Sequence, residues 1–325
     1  MLQQTRAAAV VERYRDFLAR FPTVVSLSLA REDEVLALWS GLGYYRRARM
    51  LHKAAQFVAC HCQGNLPAKV AELRSLPGIG PYTAAAIASI AHGEQVAVVD
   101  GNVERVLCRV AGWDAGSRKG GGAELRRKVE SLAATLVSPA RPGDWNQAMM
   151  ELGAVVCTPR NPRCGVCPAA RNCITRGEHK TPPRAPMLSR EEGYALTVRA
   201  ASKRNGARGL SSYEVLLEQR PKSASVMPGM WELPALCDPA VPEEVLRMTV
   251  RHSIMQVNYY VRIRTVFEND LKKLAVRRGR RRWVPVDLTG TMALTGLARK
   301  VLLRARLLAD RPVHHATPPP RVKAR

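Results

Sequence analysis

Acidic residues are scarce in this chain. Only 27 aspartates and glutamates stand against 51 lysines and arginines, a formal charge of +24 over 325 residues. An excess that large points to a polyanionic partner, with nucleic acid ahead of a membrane surface. Also missing is any apolar run near the roughly 20 residues that span a bilayer. No secretory or other targeting segment is visible, which argues against a disulfide framework and for a reduced cytoplasm. No internal repeat is evident, and phenylalanine occurs only four times. Hydrophobic residues still make up 46%, enough for a sizeable core, and the length suits two domains.

Four cysteines carry the sharpest signal. Cys157, Cys164, Cys167 and Cys173 are separated by six, two and five residues, with no histidine between them. Thiolates this close together suit an iron–sulfur cluster or zinc, with a disulfide pair as the plain alternative. Zinc usually takes two C-x2-C pairs, and there is one here. The uneven spacing fits a single loop around a cubic cluster better. Cys60, Cys62, Cys108 and Cys237 are scattered and read as packing residues.

Residues 1–156 read as helices. DEVLALWSGLG from Asp33, ARMLHKAAQFVA, LPAKVAELRSL, TAAAIASIAHG, NVERVLCRVAG and DWNQAMMELGAVV each place apolar residues at helical spacing. A proline-rich linker follows. Beyond it YALTVRA, YEVLLEQR and NYYVRIRTVFE alternate with period two and predict strands. VPEEVLRMTV and GLARKVLLRARLLA read as helices among them. The basic, proline-rich end reads as disordered.

Between two helical segments lies LPGIGPYTAAAIASI. Gly78 and Gly80 suit a tight turn that a Cβ would obstruct, and Thr83 falls in the first turn of the next helix. N–H groups at such a turn suit one phosphate. About twenty residues on, in VAVVDGNVERV, Asp100 follows an apolar run and precedes a helix. It suits an N-cap, and equally a carboxylate at the mouth of a cleft.

Taken together, the hairpin, the aspartate and C-x6-C-x2-C-x5-C resemble the endonuclease III superfamily of base-excision glycosylases over about residues 1–175. The bifunctional branch has a lysine just before the helix threonine. Tyr82 stands there, and a phenol forms no Schiff base. The adenine-specific (MutY) branch is matched further. MLQQT at 1–5 is similar to its wedge motif, GLGYYRRARMLHKAA at 41–55 to its second DNA-contact segment, and VVDGNVERV at 98–106 to its catalytic segment. MPGMWELP at 227–234 and RRWVPVDLTGTMALTGLARKVL at 281–302 resemble its Nudix-like domain. The R-E-x-x-E-E metal-binding core of Nudix hydrolases is not found, so that domain is expected to read a lesion rather than cleave a pyrophosphate.

The resemblance implies a multidomain chain, α plus α+β. An all-α helix-hairpin-helix glycosylase domain occupies 1–156, its first helix incomplete. A [4Fe-4S] loop covers 157–177, a linker 178–193, a Nudix-like α+β domain 194–308 and a basic disordered tail 309–325. The implied activity is removal of adenine mispaired with 8-oxoguanine or guanine in double-stranded DNA, by a monomer in the bacterial cytoplasm. Asp100 would stabilise the sugar cation, Asn102 would orient Asp100 or a water, and Tyr82 would lie near the flipped nucleotide. Gln3, Gln4, Thr5, Leu42, Tyr44, Pro77, Gly78, Gly80 and Thr83 would contact DNA, with Gln4 and Tyr44 as wedges and Leu42 beside them. Leu42 also reads as a core residue.

Some features depart from the pattern. The family's general-acid glutamate would fall two residues before Met1. Glu12 and Asp16 lie too far along the same helix to replace it. Either the true start is upstream, or this polypeptide binds mismatched DNA and excises slowly. A non-catalytic mismatch binder and an endonuclease III-like pyrimidine glycosylase are the other readings. Glu104 replaces a basic residue often found four after the aspartate. Ile254, Met255 and Gln256 stand where the family has F-S-H facing 8-oxoguanine, so preference for that base is expected to be weaker or differently achieved. Arg160, Arg163 and Arg171 on the cysteine loop suit phosphates. RRGRRR at 277–282 reads as a solvated turn before a phosphate patch.

Overall fold

The computed structural model describes residues 1–3, 5, 7–113, 122–179, 186–201, 212–274 and 280–308. They form two compact units, one of 1–56 with 186–325 and the other of 57–185. The packing boundary therefore falls after Gln56, far from the expected limit at 156. The reason is a shared core. Val10, Phe17, Phe21, Trp39 and Tyr45 close on Met230 and Ala293. Ser40 Oγ and Tyr45 Oη also donate to the Leu294 carbonyl at 3.3 and 3.2 Å.

The first unit begins with α1 (Ala7–Arg20), α2 (Val24–Ser28), α3 (Glu32–Trp39) and the start of α4 (Arg46–His61). Thr23 caps α2 reciprocally with Ser26. Phe17 meets Trp39 edge-on at 6.2 Å, fixing α1 against α3. The remainder is α+β. β1 (Leu188–Leu196), β6 (Val257–Thr265) and β5 (Leu246–Ile254) form one sheet, with β1 parallel to the central β6 and β5 antiparallel to it. β3 (Tyr213–Gln219) centres the second sheet. β7 (Arg281–Pro285) lies on one side of it, and β2 (Val198–Ala200) and β4 (Trp231–Glu232) lie on the other. The sheets and α10 (Gly296–Arg304) enclose a core that includes Leu217, Ile263, Leu294 and Val301.

Three expectations are corrected in this unit. VPEEVLRMTV is not helical: Glu243–Val245 makes one tight turn and β5 follows. Its residues alternate between half-buried and exposed, and pairing with β6 outweighs the helix-start signal of Pro242-Glu243-Glu244. β1 starts at Leu188, inside the segment expected as linker, while 180–185 lie outside the described residues. Within the basic run, Arg281 and Arg282 belong to β7, not to a turn. Residues 275–279 and 309–325 lie outside the described residues.

The second unit contains the end of α4, then α5 (Val70–Leu73), α6 (Pro81–His92), α7 (Gly101–Val110), α8 (Gly122–Leu136) and α9 (Pro142–Glu151). Val103, Leu107 and Cys108 of α7 pack on Val129 and Ala133 of α8. α9 approaches α6 closely at Gly143, where a Cβ would lie 2.8 Å from the Ser89 carbonyl oxygen. Among the described residues no helix is long and apolar enough to cross a membrane.

Candidate functional site

Asp100 is set in place from both sides. Before it, buried Asn146 of α9 accepts from the Val98 N–H at 3.0 Å and donates to the Val96 carbonyl at 2.8 Å. After it, α7 begins. Asp100 is the N-cap: Oδ1 accepts the N–H groups of Asn102 and Val103, both at 2.8 Å, and Oδ2 accepts Asn102 Nδ2 at 3.0 Å. Among the described residues no ion pair includes this carboxylate. The nearest link to a cation is indirect. Arg105 Nη2 donates to Asn102 Oδ1 at 2.9 Å and to the Gly153 carbonyl at 2.6 Å, and Nε donates to the Cys157 carbonyl at 2.8 Å.

The turn carrying Gly153, a π-type turn over Leu152–Val156, reaches this network because residue 153 has no side chain. A Cβ there would lie 2.6 Å from Asn102 Cβ. Tyr82 sits half-buried in the first turn of α6, its hydroxyl donating to Met150 Sδ at 3.3 Å. Burial first, and the charge of Asp100 second, push its pKa above the ordinary phenol value. The hydroxyl therefore stays a proton donor over a wider pH range. A thioether is a weak acceptor, readily exchanged for a stronger one.

The hairpin forms as the sequence predicts, with one correction. Gly78 takes φ +77°, which favours glycine. Gly80 caps α6 at φ −85°, and a Cβ there would meet nothing within 4 Å. The tight turn thus needs glycine at 78, not at 80. Pro77 is half-buried after buried Leu76, and Thr83 is half-buried at the third helical position. No side chain caps α6, so its start presents backbone N–H groups rather than a filled cap.

All four cysteines of the run line one pocket that is partly open to solvent. None of the eight cysteines is in a disulfide. Among the described residues no three ligand side chains converge tightly enough to hold a single ion. Four thiolates lining one pocket match the donor set of a [4Fe-4S] cluster, one for each iron. Arg109, 2% exposed on α7, organises this loop. Its Nη1 donates to Cys157 Sγ at 3.3 Å and the Thr158 carbonyl at 2.7 Å, and its Nη2 to the Pro159 carbonyl at 3.0 Å. The Arg176 N–H donates to Cys173 Sγ at 3.5 Å. Such donors suit sulfurs that carry negative charge as ligands. Arg160, Arg163 and Arg171 are exposed, though Arg163 already donates to the Val155 carbonyl at 2.6 Å.

In the other unit, Tyr44 is 51% exposed, whereas Leu42 is 5% exposed within the core. The core reading of Leu42 holds and the DNA-contact expectation does not, because its side chain packs inward. Gln3 is exposed and Thr5 half-buried, while Gln4 lies outside the described residues. Met255 and Gln256 form the two-residue turn between β5 and β6, with Met255 79% exposed at φ +53°.

Residues 1–131 match the family model described as HhH-GPD superfamily base excision DNA repair protein. The chain is 48% identical over 179 residues to the adenine DNA glycosylase of Homo sapiens, covering 54% of this chain and 32% of that protein. It is 38% identical over 274 residues to the Mus musculus adenine DNA glycosylase, covering 73% and 52%. For the Arabidopsis thaliana adenine DNA glycosylase the identity is 36% over 310 residues, covering 84% and 46%. The chain is similar to MutY-like helix-hairpin-helix glycosylases. It spans between about a third and a half of the length of these curated relatives.

In this MutY-like chain several supporting residues escape a reading of the sequence. Arg105 and Arg109 lie one helical turn apart on α7 and both reach the Cys157 carbonyl. Their i, i+4 spacing placed them on one face, but their acceptors come from a loop some fifty residues away. Asn146 gives no local signal either.

Proposed function

We propose that this chain acts in base-excision repair, hydrolysing the N-glycosidic bond of adenine opposite 8-oxoguanine or guanine in double-stranded DNA. The carrying observation is the Asp100 carboxylate, fixed by three amide donors, with its charge felt by Tyr82 at the start of α6. Within a stacked duplex the bond is out of reach, so the nucleotide must be extruded. As the base departs, positive charge grows on the sugar. A fixed carboxylate with no cation bound directly to it can stabilise that charge. Asn102 keeps Oδ2 aimed. The proton for the departing adenine has to come from a second acid. Tyr82, where the bifunctional branch keeps a lysine, supports hydrolysis without a Schiff base. The Gly78 hairpin and the uncapped start of α6 suit one backbone phosphate.

Cys157, Cys164, Cys167 and Cys173 would hold a [4Fe-4S] cluster, with Arg109 and the Arg176 N–H against its ligand sulfurs. When bound, the cluster would close the loop that supplies the acceptors of Arg105 and Arg109. The sheet unit would be the Nudix-like reader. At its β5–β6 turn Gln256 can donate a hydrogen bond and Met255 cannot, which supports weaker discrimination between 8-oxoguanine and guanine. A monomer working on cytoplasmic DNA completes the reading.

The test is single-turnover incubation of the purified chain with an adenine:8-oxoguanine duplex and a matched duplex, alongside iron and acid-labile sulfide analysis. The reading predicts tighter binding and adenine release on the mismatch only, strand breaks only after alkali, and about four irons per chain. Equal binding to both duplexes without base release, or a borohydride-trapped covalent product, would overturn it.

A further inference from the structure

The loop bearing Tyr44 is conformationally costly, and the Tyr44 ring itself gains little burial to compensate. Gly41, Gly43 and Tyr44 take φ values of 98°, 68° and 46°. Tyrosine seldom adopts that region, and this ring is 51% exposed. What holds the loop is Arg47, in the first turn of α4. Its Nη2 donates to the Leu42 carbonyl at 3.1 Å, the Gly43 carbonyl at 3.3 Å and Thr5 Oγ1 at 2.8 Å. Its Nη1 donates to the Met1 carbonyl at 2.9 Å and to the Gln3 carbonyl. The same guanidinium lies 5.4 Å from the Trp39 ring centre and 5.7 Å from that of Tyr44. Thr5 Oγ1 and Trp39 Nε1 close the cage, donating to the Leu42 and Gly43 carbonyls, each at 3.2 Å.

We infer that Arg47 is a positioning residue: it locks Met1, Gln3 and Thr5 to the Tyr44 loop as one rigid probe that presents the Tyr44 ring to a destabilised base step. The inference rests on the proposed DNA-repair function. Ordering the loop beforehand removes an entropic cost that binding would otherwise carry. Lysine cannot replace arginine here, because an ammonium lacks the planar fork that reaches both segments and stacks on both rings.

The experiment uses the full chain and a duplex with 2-aminopurine opposite 8-oxoguanine, whose fluorescence rises when the base leaves the stack. Arg47→Lys, Tyr44→Ala, the double variant and Thr5→Val are compared with wild type for fluorescence rise, affinity for mismatched and matched duplex, and melting temperature. Arg47→Lys should lose about tenfold of the mismatch preference, the scale of one or two charge-assisted hydrogen bonds, and most of the fluorescence rise. Matched-duplex affinity should hold. The double variant should be no worse than Tyr44→Ala, and Thr5→Val, which removes one arm at nearly constant shape, should show a smaller loss with an unchanged melting temperature. An undiminished fluorescence rise in Arg47→Lys, or losses that multiply in the double variant, would overturn the role of Arg47 while leaving the repair function standing. A wild-type chain with no mismatch preference would overturn both.

Discussion

The buried glutamates of the sheet unit and Asp100 of the helical unit are held in opposite ways. In the sheet unit each buried glutamate of β3 and β4 has its own arginine: Glu214 with Arg199 at 2.9 Å, Glu218 with Arg281 at 3.0 Å, Glu232 with Arg220 at 2.8 Å. In the helical unit Asp100 is held by amides, and the buried arginines nearby are occupied by carbonyls and a sulfur. A carboxylate neutralised by a cation is committed to the fold. One fixed by dipoles keeps its charge available to something that arrives. On the proposed function, the difference separates acids that serve the fold from one poised for chemistry.

The largest effect should come from breaking the arginine side of that contrast. Arg109→Met leaves the Thr158 and Pro159 carbonyls without their donor and removes the contact to Cys157 Sγ. A loss of about 3–4 kcal/mol in urea unfolding is expected, with reduced iron retention. A loss under ~1 kcal/mol would mean that the loop is held by other means. Glu218→Gln tests the paired side. It leaves Arg281 facing a neutral amide, and because the Arg281 side chain is 32% exposed, solvent softens the penalty to about 2 kcal/mol. Binding to mismatched DNA should not change.

His252 sharpens the contrast at the smallest scale. Burial, and then the nearby Lys300, hold its pKa below the ordinary histidine value. The unfolded chain therefore takes up that proton more readily than the folded one. This contribution to stability is complete above about pH 6.5 and is lost as pH falls toward the lower folded value. Lys300→Met should flatten the decline, read as melting temperature between about pH 7 and 5. A steeper decline would contradict the assignment.

Local chemistry was legible in the sequence. The cysteine spacing, the N-cap at Asp100 and the turn at Gly78 each depend on a few consecutive residues, and the structure assembles each one. The period-two runs around Val215 and Val261 became β3 and β6 for the same reason. Long-range choices were not legible. Pro242-Glu243-Glu244 is a sound helix start, overridden because Leu246, Met248 and Val250 find a partner in β6. Leu42 lies in a DNA-contact-like motif, yet the core of α1 and α3 takes it. The association of 1–56 with 186–325 depends on Met230 and Ala293 meeting residues some 200 positions away, which no local pattern records.

The most direct measurement sets Asp100→Asn beside Glu218→Gln in one assay of single-turnover adenine release and one of thermal unfolding. Asp100→Asn is nearly isosteric and should slow release at least about a hundredfold while the melting temperature holds. Glu218→Gln should do the reverse. If Asp100→Asn released adenine at the wild-type rate, or if both variants lost stability and activity in parallel, the distinction between a poised and a committed carboxylate would be contradicted.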